Sequence, residues 1–282
     1  MKKIILSADS SCDLSKELIE KYEVNVFPAH INLKDKGYRD GVDITPDMIY
    51  ETFYNEGVLP KTSAANPYEY IEYFKKWADE GYEVIHFNLG SALSSLYQNA
   101  HLAALELGNV YAIDSANLST GSGMLVIEAA ERIKKGMPIE QIIEEINNLK
   151  GKIQTSFIID TLTFLKEGGR CSALAAFSAN LLNIKPCILV DNTDGKMTVG
   201  KKYRGNLKKV LIQYTKEVLS RDDIDLRRIF ITHSGTSDEI INTVKETVQE
   251  MHNFEEILVT RAGCTISSHC GPNTLGLIFR TK

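Results

Sequence analysis

Three hydroxyls, Ser91, Ser94 and Ser95, stand close together in the run Gly90-Ser91-Ala92-Leu93-Ser94-Ser95-Leu96-Tyr97-Gln98-Asn99-Ala100. The apolar, alternating residues 82–88 before it predict a strand. Leu96, Ala100, Leu102, Ala103 and Leu107 after it recur at helical spacing. The hydroxyls therefore fall where a strand turns into a helix. The first N–H groups of a helix lack intrahelical partners and carry partial positive charge, so such a turn accepts an anion. Serine is also an ordinary helix cap, and capping by Ser91 or Ser94 is the simpler use of the same residues. A second hydroxyl-rich turn, Lys61-Thr62-Ser63, and a late histidine, His269, add to the candidates.

Ser94, Asp114 and His269 have the residue types of a nucleophile, an orienter and a base, which would make a serine-dependent acyl hydrolase. Against that, the turn lacks the GxSxG of a strained nucleophile elbow, and no spacing brings His269 to a serine. The phosphate-cradling pattern GxxxxGK[ST] is absent, so no nucleotide cofactor is expected. Cys264, His269 and Cys270 could ligate a metal, but no further cluster completes a site, and no metal is expected.

The elements that must position these residues alternate. Residues 3–8 predict a first strand ending in Asp9-Ser10-Ser11-Cys12-Asp13, followed by a short helix capped by Asp13 or Ser15. Residues 24–33 read as one extended run, and Lys34-Asp35-Lys36-Gly37 as a hairpin turn. Thr45-Pro46 and Asn66-Pro67 open helices in cap-then-proline order. Residues 57–66 read as irregular. Residues 110–113 form another strand ending in polar Asp114-Ser115, and helices follow to residue 150. This alternation predicts a doubly wound parallel sheet.

Beyond residue 151 the pattern changes. Residues 153–159 predict a strand, 172–182 a strongly apolar helix, and Asp191-Asn192-Thr193-Asp194-Gly195 a hairpin turn. Two further strands flank a helix at 238–251, and the chain ends in Ser267-Ser268-His269-Cys270-Gly271-Pro272 and a last strand. The expected fold is therefore α/β in two domains. Residues 1–152 form a parallel-sheet domain with a hairpin insertion, and 153–282 an α/β domain with an antiparallel or mixed sheet.

Composition narrows the function classes. A net charge of −5 with scattered Lys and Arg leaves no nucleic-acid footprint. The five cysteines are an odd number without CxxC spacing, as expected of reduced thiols in a cytoplasmic protein. The apolar start at Ile4 is cut short by Asp9, and no apolar stretch reaches membrane-spanning length.

Several of these segments, in their order, resemble one family, the DegV-like fatty-acid-binding proteins that serve as acyl-carrier subunits of bacterial fatty acid kinase. They are Asp9-Ser10-Ser11-Cys12-Asp13-Leu14, Tyr38-Arg39-Asp40-Gly41, Lys61-Thr62-Ser63, Ser91-Ala92-Leu93-Ser94-Ser95-Leu96-Tyr97-Gln98 and Asp114-Ser115. They continue with Leu165-Lys166-Glu167-Gly168-Gly169-Arg170, Lys185-Pro186, Arg204-Gly205 and His269-Cys270-Gly271-Pro272. The chain departs from the family pattern at Ala92, Ser95 and Leu96, where glycines and a threonine are usual, and at Asn273, where glycine is usual.

The resemblance implies a non-catalytic carrier of phospholipid metabolism. A long-chain fatty acid would be buried, its carboxylate held by Thr62, Ser94 and His269, with Ser91 and Ser95 beside them. Leu93, Leu96, Phe177 and Leu181 would line the acyl pocket. A separate ATP-dependent kinase subunit would phosphorylate the carboxylate, with Arg170 and Arg204 at the docking surface. Contact with a membrane would be transient, for lipid exchange. The energetics suit a lipid: each buried CH₂ contributes about 0.8 kcal/mol, so a sixteen-carbon chain offers on the order of 12 kcal/mol before ordering costs. A buried carboxylate needs charge-assisted hydrogen bonds, worth about 1.5–3 kcal/mol each.

Overall fold

The computed structural model describes residues 3–170 and 184–282. In chain order the first half runs β1 (Ile4–Asp9), α1 (Lys16–Lys21), β2 (Asn25–Phe27), β3 (His30–Leu33), β4 (Lys36–Arg39), α2 (Pro46–Glu56), β5 (Lys61–Ser63), α3 (Pro67–Ala78), β6 (Glu83–Asn88), α4 (Leu96–Leu107), β7 (Val110–Asp114), α5 (Thr120–Lys134) and α6 (Ile139–Lys150). The second half continues with β8 (Ile153–Ile158), α7 (Thr163–Gly168), β9 (Ile184–Val190), β10 (Met197–Arg204), α8 (Leu207–Val218), β11 (Ile224–His233), α9 (Asp238–Met251), β12 (Glu256–Arg261), α10 (Cys264–Cys270) and β13 (Leu275–Thr281).

Strands β1, β2, β6 and β7 make a parallel sheet in the order β2-β1-β6-β7. Parallel neighbours need long crossovers, and the helices supply them. The start signals act as expected. Thr45 Oγ1 accepts the Met48 N–H ahead of a helix with proline in its first turn, and Asn66 with Glu69 closes a capping box. The second sheet is mixed, in the order β10-β9-β8-β13-β11-β12, with β11 and β12 parallel and its other pairs antiparallel.

Helix α5 joins the two sheets. Its residues from Thr120 to Ala130 are buried, and it packs on β1 and β6 of one sheet and β8 and β13 of the other. One apolar core accordingly holds Leu6, Phe87, Met124 and Ile127 together with Ile153, Phe230 and Ile278. Ion pairs fix the same junction, with Glu128 bonded by Arg132 and Arg227, and Glu131 by Arg228.

Three local expectations change. The extended run 24–33 breaks at Pro28-Ala29, so β2 joins the parallel sheet while β3 leaves it for a three-stranded antiparallel sheet, β4-β3-β5. Proline has no N–H to continue a ladder. Residues 61–63, read as a turn, are strand β5, paired with β3. Residues 264–270, to which the sequence reading assigns no element, are helix α10. The apolar helix expected at 172–182, with Phe177 and Leu181, lies outside the described residues. No helix among the described residues is long and apolar enough to cross a membrane.

Candidate functional site

The hydroxyl turn is fixed by the ends of three parallel strands. Asp9, at the end of β1, is buried and accepts the Leu89 N–H at 3.1 Å. Its other partners are Tyr70 Oη, His86 Nε2 and Asn88 Nδ2, at 2.7, 3.1 and 3.1 Å. Asp114, at the end of β7, accepts the Ser91 N–H at 3.0 Å and the Ala116 N–H at 2.9 Å. Gly90 donates its N–H to the Asn117 carbonyl at 2.8 Å, and a Cβ at Gly90 would stand 2.9 Å from the Asn117 nitrogen. Only glycine fits so close an approach. Ser94 Oγ accepts the Leu96 N–H at 3.3 Å, so Ser94 bonds the first turn of α4. Ser95 occupies the cap position itself and makes no side-chain capping bond.

Beside this turn lies a cavity of about 140 Å³ that brings together segments from the whole chain. Its polar lining includes Thr62, Ser63, Ser94, Ser95, Arg170 and His269, together with the buried Thr265. Its apolar lining includes Leu89, Leu93, Leu96, Leu118, Phe157 and Leu165, all buried. Apart from Thr265 these polar residues are half-buried or exposed, so most of the polar lining has access to solvent. A smaller cavity shares Leu118, Phe157, Ile266 and Cys270 with it and extends the apolar space between the sheets.

Thr62 and His269, 207 residues apart, are hydrogen-bonded, with Thr62 Oγ1 2.8 Å from His269 Nε2. Strand β5 supplies Thr62 and helix α10 supplies His269. Helix α7 packs against α10, and Gly168 makes the contact: a Cβ there would lie 2.3 Å from His269 Nδ1. Burial, with the Arg170 cation adding to it, pushes the His269 imidazole down to about 4, so the ring is neutral near pH 7. Arg170 donates to the Gly168 carbonyl at 2.7 Å, and its Nε reaches the Leu93 carbonyl at 3.5 Å. The result is a neutral imidazole, two hydroxyls and a guanidinium facing the open end of an apolar cavity. That set suits a carboxylate whose tail is hydrocarbon.

Thr62, Ser94, Ser95, His269, Leu93 and Leu96 thus meet at one cavity, and Arg170 joins them there. Ser91 is not among the lining residues; its backbone N–H serves Asp114. Arg204 ends the edge strand β10, exposed and outside the cavity lining. The triad does not assemble, because Asp114 is engaged by backbone N–H groups and His269 by Thr62. Among the described residues no group of three or more His, Cys, Asp or Glu side chains could hold a metal ion. Sequence reasoning missed Leu118, Phe157, Leu165 and Ile266 as lining residues. Phe157 had a signal in the strand expected at residues 153–159. Ile266 had none, since its helix was not foreseen.

A family profile described as "Uncharacterised protein, DegV family" matches residues 3–282. A DegV domain-containing protein of Clostridium perfringens is 33% identical over 99% of each chain. Among solved structures, a Thermus thermophilus protein described as a fatty-acid-binding DegV family protein superposes with a TM-score of 0.88 and 31% identity over 100% of both chains. One from Eubacterium ventriosum, described as a stearic-acid-binding protein, gives a TM-score of 0.83 and 27% identity over 99% of this chain and 98% of that one. With a family match over residues 3–282 and a relative 33% identical over nearly the whole of both chains, this chain belongs to the DegV family.

Proposed function

We propose that this protein binds a long-chain fatty acid and presents its carboxylate to a separate ATP-dependent kinase subunit. The observation that carries this reading is the Thr62–His269 hydrogen bond at the polar end of a cavity whose other walls are apolar. The acyl tail lies along Leu89, Leu93, Leu118 and Phe157, where burying it removes hydrocarbon from water. The head group takes hydrogen bonds from Thr62, Ser94 and His269, and Arg170 offsets its charge. The solved relatives from Thermus thermophilus and Eubacterium ventriosum, described as fatty-acid-binding, support the substrate class.

In the kinase step a carboxylate oxygen attacks the terminal phosphorus of ATP; the new O–P bond forms as the bond to ADP breaks. This chain keeps the carboxylate ionised, oriented and near solvent, because the polar lining residues sit at the exposed end of the cavity. A neutral imidazole suits that role, since it donates a hydrogen bond without giving up a proton.

Protein made in bacteria without added lipid and extracted under denaturing conditions should yield about one long-chain fatty acid per chain. An empty cavity, or phospholipid in place of fatty acid, sinks the reading. Ser94→Ala and Thr62→Ala should each weaken fatty-acid binding by about 1–3 kcal/mol while the fold persists. Arg204→Ala tests the kinase half separately. Fatty-acid affinity should hold while acyl-phosphate formation with a cognate kinase falls at low salt, and the difference should shrink as salt is raised.

A further inference from the structure

Helix α10 carries His269, yet its own sequence gives it little reason to form. Cys264-Thr265-Ile266-Ser267-Ser268-His269-Cys270 is poor in strong helix formers, and Gly263 at the cap position has no side chain to offer. Its first N–H groups are met instead by two buried carboxylates from the far end of the chain. Asp13 Oδ1 accepts the Gly263 N–H at 2.8 Å across 250 residues. Asp40 Oδ1 accepts the Cys264 N–H at 2.7 Å across 224 residues. Asp40 Oδ2 takes the Thr265 N–H at 2.9 Å and the Thr265 hydroxyl at 2.6 Å. Three successive backbone donors are thus satisfied from outside the helix.

Both carboxylates are themselves anchored. Ser119 donates to Asp13 Oδ2 at 2.5 Å, and Ser10 donates to Asp40 Oδ2 at 3.0 Å. Asp13 and Asp40 are only 4% and 3% exposed, so water is a poor substitute for either partner. A Cβ on Gly263 would stand 3.2 Å from Asp13 and 3.3 Å from Asp40, so both side chains close on one point of the backbone. Displacing that point moves the helix and the imidazole it carries away from Thr62 on β5.

We propose that Asp13 and Asp40 are positioning residues for the head-group site, clamping the N-terminus of α10 so that His269 meets Thr62 and the ligand carboxylate. The claim rests on the fatty-acid reading for its binding readout, though the placement of His269 can be read without ligand. Neither carboxylate is among the residues lining the cavity; the lining residue that the Asp40 carboxylate bonds directly, Thr265, shares α10 with His269.

The test is a double-mutant cycle on delipidated protein, with palmitate affinity measured by calorimetry, using Asp40→Asn, His269→Ala and the pair. Asp40→Asn should lower palmitate affinity about tenfold with a cooperative thermal transition retained, and should cost little more in the His269→Ala background. Histidine side-chain NMR without ligand should show the His269 resonances displaced in Asp40→Asn. Equal losses in both backgrounds, or unmoved His269 resonances in a folded variant, overturn the proposal. If Asp40→Asn does not fold, Asp13→Asn runs the same cycle. Loss of fold in both variants also overturns it, because the carboxylates would then act on the whole fold. If wild type binds no palmitate, the fatty-acid reading fails, while the resonances still decide the positioning claim.

Discussion

The two halves of the proposed head-group site are built in opposite ways. Ser94 sits in a strand-to-helix turn whose supports lie at neighbouring strand ends: Asp9, Asp114 and Asn117 reach backbone N–H groups of the turn or supply a carbonyl to one. His269 sits on a short helix whose supports come from residues 13, 40 and 168, each far away in sequence. The first half follows the ordinary grammar of an open α/β sheet, with polar groups gathered past the strand ends. The second half exists only once distant segments have met. A site of this kind is complete only in the folded protein, and the long-range half is the one that damage should displace.

The largest effect is expected on the local half. Asp9→Ala removes the acceptor shared by Tyr70, His86, Asn88 and the Leu89 N–H, all in a buried setting. Leaving several buried donors unpaired should destabilise the protein by about 3–5 kcal/mol. Urea denaturation measures it. A loss under about 1 kcal/mol would mean that the turn does not depend on Asp9, and the contrast between the halves would dissolve.

The same contrast explains what could be read in advance. The strands of the parallel sheet, the Thr45-Pro46 and Asn66-Pro67 helix starts, the hairpin at Lys34-Asp35 and the mixed character of the second sheet all follow signals within a few residues. Lys34 and Asp35 take the positive φ that a tight hairpin demands. The hydroxyls of the turn at residues 91–95 were legible for that reason. Helix α10 was not, because the groups that satisfy its N-terminus lie 250 and 224 residues earlier. Strand β5 was missed for a related reason: three residues between Pro60 and Ala64 carry too short a pattern, and only pairing with β3 makes them a strand. Arg170 was singled out from its glycines and its resemblance to family members, but its place at the cavity depends on α7.

An intermediate effect follows from Asp13, whose carboxyl is pushed up to about 8, mainly by burial, with the Asp40 charge adding and the bonds from Ser119 and Gly263 opposing. In the unfolded chain the same group ionises near 4. Between pH 4 and 8 the folded state therefore holds a proton that the unfolded state has lost, and stability falls as pH rises through that window. The slope is at most that of one proton, and it levels above pH 8. His269 acts with the opposite sign: its folded value lies below its unfolded one, so it removes stability as pH falls from about 6.5 toward 4. Comparing His269→Ala with Asp13→Asn in the same His269→Ala background removes the His269 contribution. The difference in unfolding free energy should change steadily from pH 4 to 8, and a flat difference would show that Asp13 does not carry this proton.

The smallest effect on the fold, and the most selective for the site, is expected at Gly168. Its conformation is helical, so alanine suits the backbone there and would ordinarily favour an exposed helix. The obstacle is His269, whose Nδ1 would stand 2.3 Å from the new Cβ. Either α7 shifts or the imidazole turns, and turning breaks the 2.8 Å contact with Thr62. Overpacking of this kind costs about 1–3 kcal/mol, partly offset by the gain in helix propensity, so the stability change should be modest. Palmitate affinity should fall by more than stability does, because the head group loses its imidazole. Gly168→Ala combined with His269→Ala should recover stability, since the obstructing ring is gone, without recovering affinity. Calorimetry and urea titration on the same four proteins separate the two readouts. If Gly168→Ala alone binds palmitate like wild type, the ring has room to move without leaving Thr62, and the long-range half of the site is more tolerant than its packing implies.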